Sequence, residues 1–254
     1  MIQPDTRPAI EFRNVSYRLN GEGKEGRELL HHLNLEVQRG ETLVLLGRSG
    51  SGKTTTLKLI NHLLTPSEGE LRVDARPIRE WDVIRLRRMI GYVIQEVGLF
   101  PHFTVARNIG LVPKIENWHS KRIAERIDEL LQLVGLDPEI ASRYPRELSG
   151  GQRQRVGVAR ALAADPPILL MDEPFGALDP ITRAELQREF LQLQKRLRKT
   201  VVFVTHDLRE ALLLGTRIAL MEAGRVITLQ TPDQFLASKE PLPCAYKDAF
   251  GAGL

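Results

Sequence analysis

The sequence of 254 residues is long enough for one or two domains, and its 42% hydrophobic and 27% charged residues are ordinary for a globular protein. No apolar run reaches the roughly 20 residues of a membrane-spanning helix, and the N-terminus lacks a secretory signal core. A single cysteine, Cys244, excludes an internal disulfide framework and a cysteine metal site, and a net charge of +4 only weakly indicates an anionic partner. We therefore expect a protein of the cytosol.

The N-terminal part of the chain has the pattern of paired strands. Residues 9–19 and 29–37 alternate apolar and polar side chains and are separated by the glycine-rich residues 20–26. This alternation predicts two antiparallel strands joined by a loop. A turn over residues 38–41 then leads into the apolar run 42–46, which predicts a buried strand.

The segment after this strand, residues 47–54 (GRSGSGKT), fits the phosphate-loop pattern G-x-x-x-x-G-K-[ST] at every fixed position. Its three glycines carry no Cβ, so backbone N–H groups can converge on phosphate oxygens, with the positive end of the following helix behind them. Lys53 adds a charge for the outer phosphates, and the Thr54 hydroxyl is a ligand for Mg²⁺. The predicted triphosphate-binding residues are Gly47, Arg48, Ser49, Gly50, Ser51, Gly52, Lys53, Thr54 and Thr55.

The middle of the chain alternates between helices and strands. A turn and short strand (65–69, 70–73), a helix (83–89) and a buried strand (90–94) lead to Gln95. Residues 96–104 contain glycine and proline, which predicts a surface loop with exposed aromatic side chains. Periodic apolar residues predict another helix over 121–134.

A second glycine-bearing helix start follows at Ser149-Gly150-Gly151-Gln152, which predicts another anion-binding N-terminus. Beyond it, the apolar patterns predict elements over 168–172 (strand), 181–197 (helix), 200–205 (strand), 217–221 and 225–229 (paired strands), and a short helix from Pro232. Strands that alternate with helices predict an α/β fold with a mostly parallel sheet covered on both faces.

Polar side chains stand where the buried strands end. Asp172 and Glu173 occupy the place where a phosphate-loop NTPase keeps the acid that holds Mg²⁺ through water, so we assign Asp172 to the metal. Glu173 is the predicted general base for the attacking water, a role commonly contributing about 10²–10⁴-fold in rate. His206 and Gln95 also end strands, and strand ends at one edge of a parallel sheet line a common crevice. We predict that both reach the γ-phosphate, with Gln95 as a further Mg²⁺ ligand; the predicted catalytic residues are Glu173, His206 and Lys53.

Leu148 to Gln152 spell LSGGQ, and with the phosphate loop, Gln95, residues 168–173, Ala177-Leu178-Asp179 and His206 this motif resembles the ATP-binding cassette (ABC) ATPases over essentially the whole chain. The resemblance implies an α/β P-loop NTPase fold. It has a RecA-like core with an antiparallel β subdomain, roughly residues 9–95 and 165–230, and an inserted α-helical subdomain near 96–160. The ATPase domain then covers 9–240, and 241–254 form a C-terminal tail that we expect to be disordered in part.

The resemblance also implies a head-to-tail dimer with ATP and Mg²⁺. One ATP is clamped between the phosphate loop of one copy and the signature, Ser149 to Gln152, of the other, and Asp179 couples the two sites. The residues support this arrangement independently, because the chain offers two anion-binding helix starts and one triphosphate fills one of them; a symmetric pair uses both.

Three long stretches, residues 92–109, 142–183 and 203–227, resemble ATPases of bacterial quaternary-amine importers for glycine betaine, carnitine or choline. This resemblance implies a peripheral subunit at the cytoplasmic face of the membrane, bound to integral membrane permease subunits and indirectly to a substrate-binding protein, with no nucleic-acid partner. The apolar loop at residues 97–101 suits permease docking. Several such ATPases carry regulatory CBS domains, which we expect to be absent here.

Other functions stay open at this point. The main alternative is an ABC importer for amino acids, phosphonates or oxyanions, because the ATPase never touches the solute. A soluble ABC ATPase acting on DNA or ribosomes is disfavoured by the single uninterrupted cassette, and a small-molecule kinase has no use for LSGGQ. The adenine-stacking residue is also open: the family position holds Leu19, and the aromatic Tyr17 lies two residues earlier.

Overall fold

The computed structural model describes residues 7–21, 24–95, 97–176 and 178–250. Within these residues the strands are, in chain order, β1 (Ile10–Gly21), β2 (Lys24–Val37), β3 (Thr42–Leu46), β4 (Glu68–Val73), β5 (Arg76–Pro77), β6 (Ile90–Val93), β7 (Ile168–Asp172), β8 (Thr200–Thr205), β9 (Arg217–Glu222) and β10 (Arg225–Gln230). The α-helices are α1 (Lys53–Ile60), α2 (Val83–Arg88), α3 (Val105–Ile109), α4 (Leu111–Ile115), α5 (Ser120–Leu133), α6 (Gly150–Leu162), α7 (Pro180–Leu197), α8 (Leu208–Leu214), α9 (Pro232–Ala237) and α10 (Pro241–Phe250). Short 3₁₀ helices cover Ile78–Glu80, Pro138–Ser142 and Pro145–Glu147.

The chain divides into two compact units. The first comprises Met1–Leu86 and Thr200–Leu254, and the second comprises Arg87–Lys199. The predicted helical insertion near residues 96–160 lies wholly within the second unit, which also contains β6, β7 and α7.

An antiparallel sheet in the order β2-β1-β4-β5 belongs to the first unit. The predicted antiparallel pairing of the first two strands is confirmed, with Ile10 opposite Val37. The predicted loop over residues 20–26 is wrong in extent, because β1 continues to Gly21 and β2 already begins at Lys24. The backbone ladder continues to the Gly21–Lys24 pair, and its hydrogen bonds override the low strand propensity of glycine.

The parallel strands of the first unit position the phosphate loop. β3 is buried along its whole length and lies between β8 and β9, parallel to both, while β10 pairs antiparallel with β9. Burial on both faces explains why β3 and β8 read as continuous apolar runs. Leu46, the last residue of β3, is opposite Thr205, the last residue of β8. The segments that follow these two strands therefore leave the sheet at neighbouring points on one edge.

The second unit combines a parallel strand pair with helices. β6 and β7 are parallel, with Val93 opposite Met171. Helix α6 approaches β6 closely, because a Cβ at Gly91 would lie 2.4 Å from the carbonyl oxygen of Ala161. The apolar residues predicted to face the core along α7 are confirmed at Leu186, Phe190 and Leu193, which are buried. Leu197, at the end of the helix, is only half-buried.

The C-terminal segment contains a helix that the sequence patterns did not predict. Of residues 241–254, which were expected to be disordered in part, Pro241–Phe250 form helix α10, and residues 251–254 lie outside the described part of the chain. The ordering has a tertiary cause, since Pro243 and Tyr246 are buried against the first unit. Sequence patterns also missed the short helices α3, α4 and α8, which are five to seven residues long and too short to show periodicity. None of the helices in the described ranges has both the length and the hydrophobicity of a membrane span.

Candidate functional site

The phosphate loop of the first unit follows β3 and leaves no room for larger side chains at two glycines. A Cβ at Gly47 would lie 2.4 Å from the carbonyl oxygen of Met221 and 2.6 Å from the Ser51 hydroxyl. Gly52 has a φ of +102°, and a Cβ there would lie 2.6 Å from Leu30 Cδ2. Gly47 therefore requires glycine for space, and Gly52 requires it both for space and for backbone conformation.

Two polar groups of the phosphate loop, the Lys53 ammonium and the Ser51 hydroxyl, are suited to bind an anion. Lys53 is 4% exposed, and its ammonium donates to the carbonyl oxygens of Gly47 (2.7 Å) and Arg48 (2.8 Å). The Ser51 hydroxyl oxygen is buried and has no hydrogen-bond partner among the described residues. Buried hydroxyls are normally hydrogen-bonded, so an unpartnered one inside an anion-binding loop fits a ligand that supplies the missing bond.

The start of helix α1 is open to solvent next to this loop. Arg48, Ser49, Gly50 and Thr54 are exposed, and Thr55 is half-buried. The N-cap residue of α1 is Gly52, so no N-cap side chain accepts hydrogen bonds from the N–H groups of the first turn. The first-turn N–H groups of α1 and the positive end of its dipole are therefore available to an anion in the phosphate loop.

The turn between β9 and β10 supports the phosphate loop, a contact that the sequence patterns did not indicate. The N–H of Gly224 donates to the Ser51 carbonyl oxygen at 3.1 Å, and the Gly224 carbonyl accepts from His31 N–H at 3.0 Å. A Cβ at Gly224 would lie 2.5 Å from the Leu29 carbonyl oxygen. The tight turn thus fixes the back of the loop against the antiparallel sheet.

His206 lies directly after β8, at the sheet edge from which the phosphate loop also leaves. Its side chain is exposed, whereas the residues around it are fixed. The Thr205 hydroxyl donates to the buried Glu210 carboxylate at 2.6 Å and accepts from Asp207 N–H at 3.0 Å. The first unit therefore brings His206 to the strand end next to the phosphate loop, as predicted from the strand pattern.

In the second unit, the predicted metal and base residues follow the parallel pair β6 and β7. Asp172 is 6% exposed at the end of β7, and Gln95 is exposed just beyond β6. Glu173 has a φ of +43°, a conformation that is costly for a residue with a Cβ and that clusters at functional sites. Gly176 N–H donates to the Glu173 carbonyl at 3.1 Å and closes this turn. Burial, and secondarily the Asp172 charge, raise the pKa of Tyr92, which keeps its phenol neutral.

The signature sequence forms the start of helix α6. The Ser149 hydroxyl accepts from Gln152 N–H at 3.2 Å, and the Gln152 side chain accepts from Ser149 N–H at 2.9 Å, so the two form a capping box. Gly151 is required by packing, since a Cβ there would lie 2.7 Å from Thr182 Cγ2, whereas one at Gly150 would lie 3.7 Å from its nearest neighbour, Leu178 Cδ2.

Asp179 is the N-cap of the neighbouring helix α7. Its carboxylate accepts from the N–H groups of Ile181 and Thr182, both at 3.1 Å. Hydrogen bonding to Thr182, through its side chain and its backbone, lowers the pKa of Asp179. The stabilisation from this cap is present above the pKa of the unfolded chain and is lost as the pH falls through the lower folded value. Packing of Gly151 on Thr182 places the capped start of α7 beside the signature.

The loop after Gln95 borders a groove in the second unit. Arg160 donates to the carbonyl oxygens of Val97 and Gly98, each at 2.7 Å, and Asn108 bonds both the N–H and the carbonyl of Phe100. Phe100 is 41% exposed, which confirms one exposed aromatic side chain in this loop. The groove has a volume of about 350 Å³, and its lining includes Arg87, Arg88, Tyr92, Gly98, Phe100, Leu111 and Arg160.

The adenine position stays open. Leu19 is 51% exposed, while Tyr17 is half-buried and pairs with Leu30. The pairing of β1 with β2 shifts its register between Tyr17 and Arg18, so the simple rule that alternate residues share a face is disturbed here.

The predicted site residues fall into two groups. The phosphate loop and His206 belong to the first unit; Gln95, Asp172, Glu173, the signature and Asp179 belong to the second. Ala177 of the ALD segment lies outside the described residues. In the described ranges, no three carboxylate, imidazole or thiol side chains cluster as a metal site of their own. The predicted Mg²⁺ ligands Thr54, Gln95 and Asp172 stay a prediction; their hydroxyl, amide and carboxylate oxygens are of the kind that Mg²⁺ prefers.

The sequence of this chain is similar to sequences of known proteins. The ABC transporter family model matches residues 30–176. The choline transport ATP-binding protein OpuBA of Bacillus subtilis (strain 168) is 54% identical over 227 residues, which are 89% of this chain. This chain spans 58% of the length of that relative. The glycine betaine uptake system ATP-binding protein YehX of Escherichia coli (strain K12) is 52% identical over 223 residues, covering 88% of this chain and 71% of the relative.

Among solved structures, a dimeric post-hydrolysis state of the ATP-binding cassette MJ0796 bound to ADP and Pi matches with a TM-score of 0.80. It is 35% identical in sequence, and the match covers 88% of this chain and 98% of that chain. The likeness extends over nearly the whole solved cassette, which confirms the predicted α/β P-loop NTPase fold.

Proposed function

This chain belongs to the ABC transporter family, and from that membership we propose that it is the ATP-binding and ATP-hydrolysing subunit of a bacterial importer for quaternary amines such as glycine betaine, carnitine and choline. The observation that carries the ATPase assignment is the phosphate loop, in which Lys53 and an unpartnered Ser51 hydroxyl lie at an open helix start. The relatives' names supply the solute class, because the cassette itself has no contact with the transported molecule.

The residues present fit ATP and Mg²⁺. The loop glycines leave space for phosphate oxygens, and Thr54, Gln95 and Asp172 offer the hydroxyl, amide and carboxylate oxygens that Mg²⁺ prefers, Asp172 through water. When bound, Mg²⁺ neutralises charge on the phosphate oxygens. Lys53 then exchanges its two carbonyl contacts for the outer phosphates.

Glu173 and His206 are the proposed catalytic groups. Glu173 accepts the proton of the attacking water as general base, and its left-handed backbone supports such a role, since strain of this kind is kept where a side chain must be aimed. His206 orients the γ-phosphate from the strand end beside the loop. Lys53 stabilises charge on the transferred phosphoryl group.

The proposed assembly is a head-to-tail pair in which the signature of each copy covers the nucleotide of the other. The capping box uses the Ser149 oxygen as acceptor, so its hydroxyl proton is available to donate to a phosphate. Gly150 and Gly151 let a nucleotide approach the helix backbone, and Asp179, at the adjacent helix start, links the two pockets. The dimeric form of the solved cassette supports this pairing.

We assign the groove beside residues 97–100 to the permease. Its mixed lining, with three arginines and the exposed Phe100, suits an amphipathic helix of an integral membrane subunit. In this arrangement the ATPase domain (residues 9–240), with its helical insertion near 96–160, is a peripheral subunit at the cytoplasmic face of the membrane. It works with a substrate-binding protein through the permease.

Uptake by the reconstituted importer tests the proposal. Vesicles carrying the chain with its genomically neighbouring permease and binding protein should accumulate labelled glycine betaine or choline on addition of internal ATP. The matched Glu173→Gln complex should not. Accumulation of an amino acid, a phosphonate or sulfate in place of betaine would leave the ATPase assignment intact and overturn the solute class, whereas copurification with nucleic acid instead of permease would overturn the transport role.

A further inference from the structure

Glu210 is a buried acid of the first unit that the proposed mechanism does not use. It lies in the first turn of α8 and is 4% exposed. Burying a carboxyl group is costly unless the group is hydrogen-bonded, and this one accepts from the Thr205 hydroxyl at 2.6 Å. That length is typical of a hydroxyl bound to a carboxylate. The contact therefore ties the start of α8 to the last residue of β8.

The same hydroxyl closes the turn that contains His206. The Thr205 oxygen accepts from the N–H of Asp207, two residues further along the chain, at 3.0 Å. A hydroxyl has a single proton, so Thr205 bonds both groups by donating to Glu210 and accepting from Asp207. A bond of this kind from a threonine side chain to the backbone two residues on defines a tight turn. His206 is the residue enclosed by this turn.

Both neighbours of His206 are held by further contacts. The Asp207 carboxylate accepts from Arg209 N–H at 2.8 Å as the N-cap of α8. Thr205 is 2% exposed and lies opposite Leu46, the last residue of the strand that leads into the phosphate loop. The His206 side chain, in contrast, is exposed. Because the rotamers open to a side chain depend on its backbone conformation, the direction of the imidazole depends on this turn.

We propose that Glu210 is a positioning residue for His206: through the Thr205 hydroxyl it fixes the turn from which the imidazole reaches the γ-phosphate. This inference rests on the proposed role of His206 in hydrolysis. It predicts an effect on turnover and none on nucleotide binding, because Lys53 keeps its contacts in the phosphate loop when Glu210 is replaced.

A double-mutant cycle between Glu210 and His206 tests this role. In Glu210→Ala the turn loses its support, and we expect the kcat for ATP hydrolysis by the importer complex to fall about ten- to a hundredfold, the usual cost of a misplaced catalytic group. The Kd for a non-hydrolysable ATP analogue with Mg²⁺, measured by calorimetry, should stay at the wild-type value. In a His206→Ala background the same change should lower kcat no further, because the turn then has no imidazole to position.

Three further variants separate positioning from folding. Glu210→Gln retains an acceptor oxygen for the Thr205 hydroxyl and should restore most of the wild-type kcat. Thr205→Val keeps the branched shape in β8 and removes the hydroxyl, so it should reproduce the loss of kcat even if Glu210→Ala does not fold. The matched control is Asp233→Ala, which removes an exposed acidic residue from the first turn of α9 and should hydrolyse ATP like the wild type.

Equal losses of kcat from Glu210→Ala with and without His206 would overturn the inference, since Glu210 would then act independently of the imidazole. A lowered melting temperature in Glu210→Ala with an unchanged kcat would leave Glu210 with a purely structural role. Normal hydrolysis by His206→Ala is a different result: it would overturn the proposed role of His206, and this inference with it.

Discussion

The chain contains two glycine- and serine-rich helix starts that differ in how they satisfy their own N–H groups. At α1 the N-cap is Gly52, which has no side chain, and the nearby Ser51 hydroxyl is buried without a partner in the described residues. At α6, Ser149 and Gln152 form a complete capping box. The start of α1 therefore has no N-cap side chain as a hydrogen-bond acceptor for its first N–H groups, whereas the start of α6 has one within the same copy of the chain. This difference supports our proposal that the phosphate loop is the primary nucleotide site and that the signature adds contacts to a nucleotide bound by the other copy.

The largest expected effect comes from Glu173→Gln, which leaves both helix starts intact and removes the proposed base. We expect ATP hydrolysis to fall by about 10²–10⁴-fold, the usual contribution of a general base. ATP binding should persist, so ATP and Mg²⁺ should then convert monomers to dimers in light scattering. Glu189→Gln, which disturbs only an ion pair with Arg155 elsewhere in the second unit, should hydrolyse ATP normally. A Glu173→Gln protein that stays monomeric at saturating ATP would contradict the shared-nucleotide model.

The variants Gly47→Ala and Gly150→Ala test separately how each helix start contributes to nucleotide affinity. At Gly47 the new Cβ would lie 2.4 Å from a backbone oxygen, and overpacking of this kind typically costs about 1–3 kcal/mol. We expect the nucleotide affinity of Gly47→Ala to fall at least about tenfold, measured by calorimetry. In Gly150→Ala the Cβ has space, so nucleotide affinity of the single chain should stay at the wild-type value. Equal losses in both variants would remove the distinction between the two sites.

Ser149→Ala removes the cap of the signature helix. Loss of an N-cap costs about 1 kcal/mol, which lowers the melting temperature by roughly 2–4 °C in a protein of this size. Nucleotide affinity of the single chain should not change, but hydrolysis by the dimer should fall, because the Ser149 hydroxyl is the proposed donor to the other copy's phosphate. Ser142→Ala, outside both helix starts, is the control for hydrolysis. Full hydrolysis by dimeric Ser149→Ala would exclude the signature from the pocket.

The smallest expected effect concerns the base of the nucleotide. If an aromatic ring stacks on adenine, Tyr17→Ala should weaken ATP binding by about 1 kcal/mol, or roughly fivefold, and Leu19→Ala should have little effect. If adenine contacts an aliphatic surface instead, Leu19→Ala should weaken ATP binding more than Tyr17→Ala. Titration of both variants with ATP distinguishes these outcomes, and an unchanged affinity in both would place the adenine away from this part of β1.

Much of the fold could be predicted because the decisive signals are local. Continuous apolar runs specify the buried strands β3, β7 and β8, and periodic apolar residues specify α5 and α7. The predictions failed where the deciding contacts are distant in sequence. The β1–β2 ladder extends through residues with weak strand propensity, and α10, which the patterns did not predict, accepts a hydrogen bond from Arg209, 41 residues away in sequence.

The sequence by itself determined the chemistry: fixed glycine spacing, a lysine, paired acids after a buried strand and a serine-capped helix start are local patterns that specify phosphate binding and hydrolysis. Tertiary structure decided how these parts are supported. It revealed that the β9–β10 turn braces the phosphate loop, and that Asp179 and Thr182 lie beside the signature. Such supports consist of backbone contacts and packing between distant segments, and these leave no pattern in the order of residues along the chain.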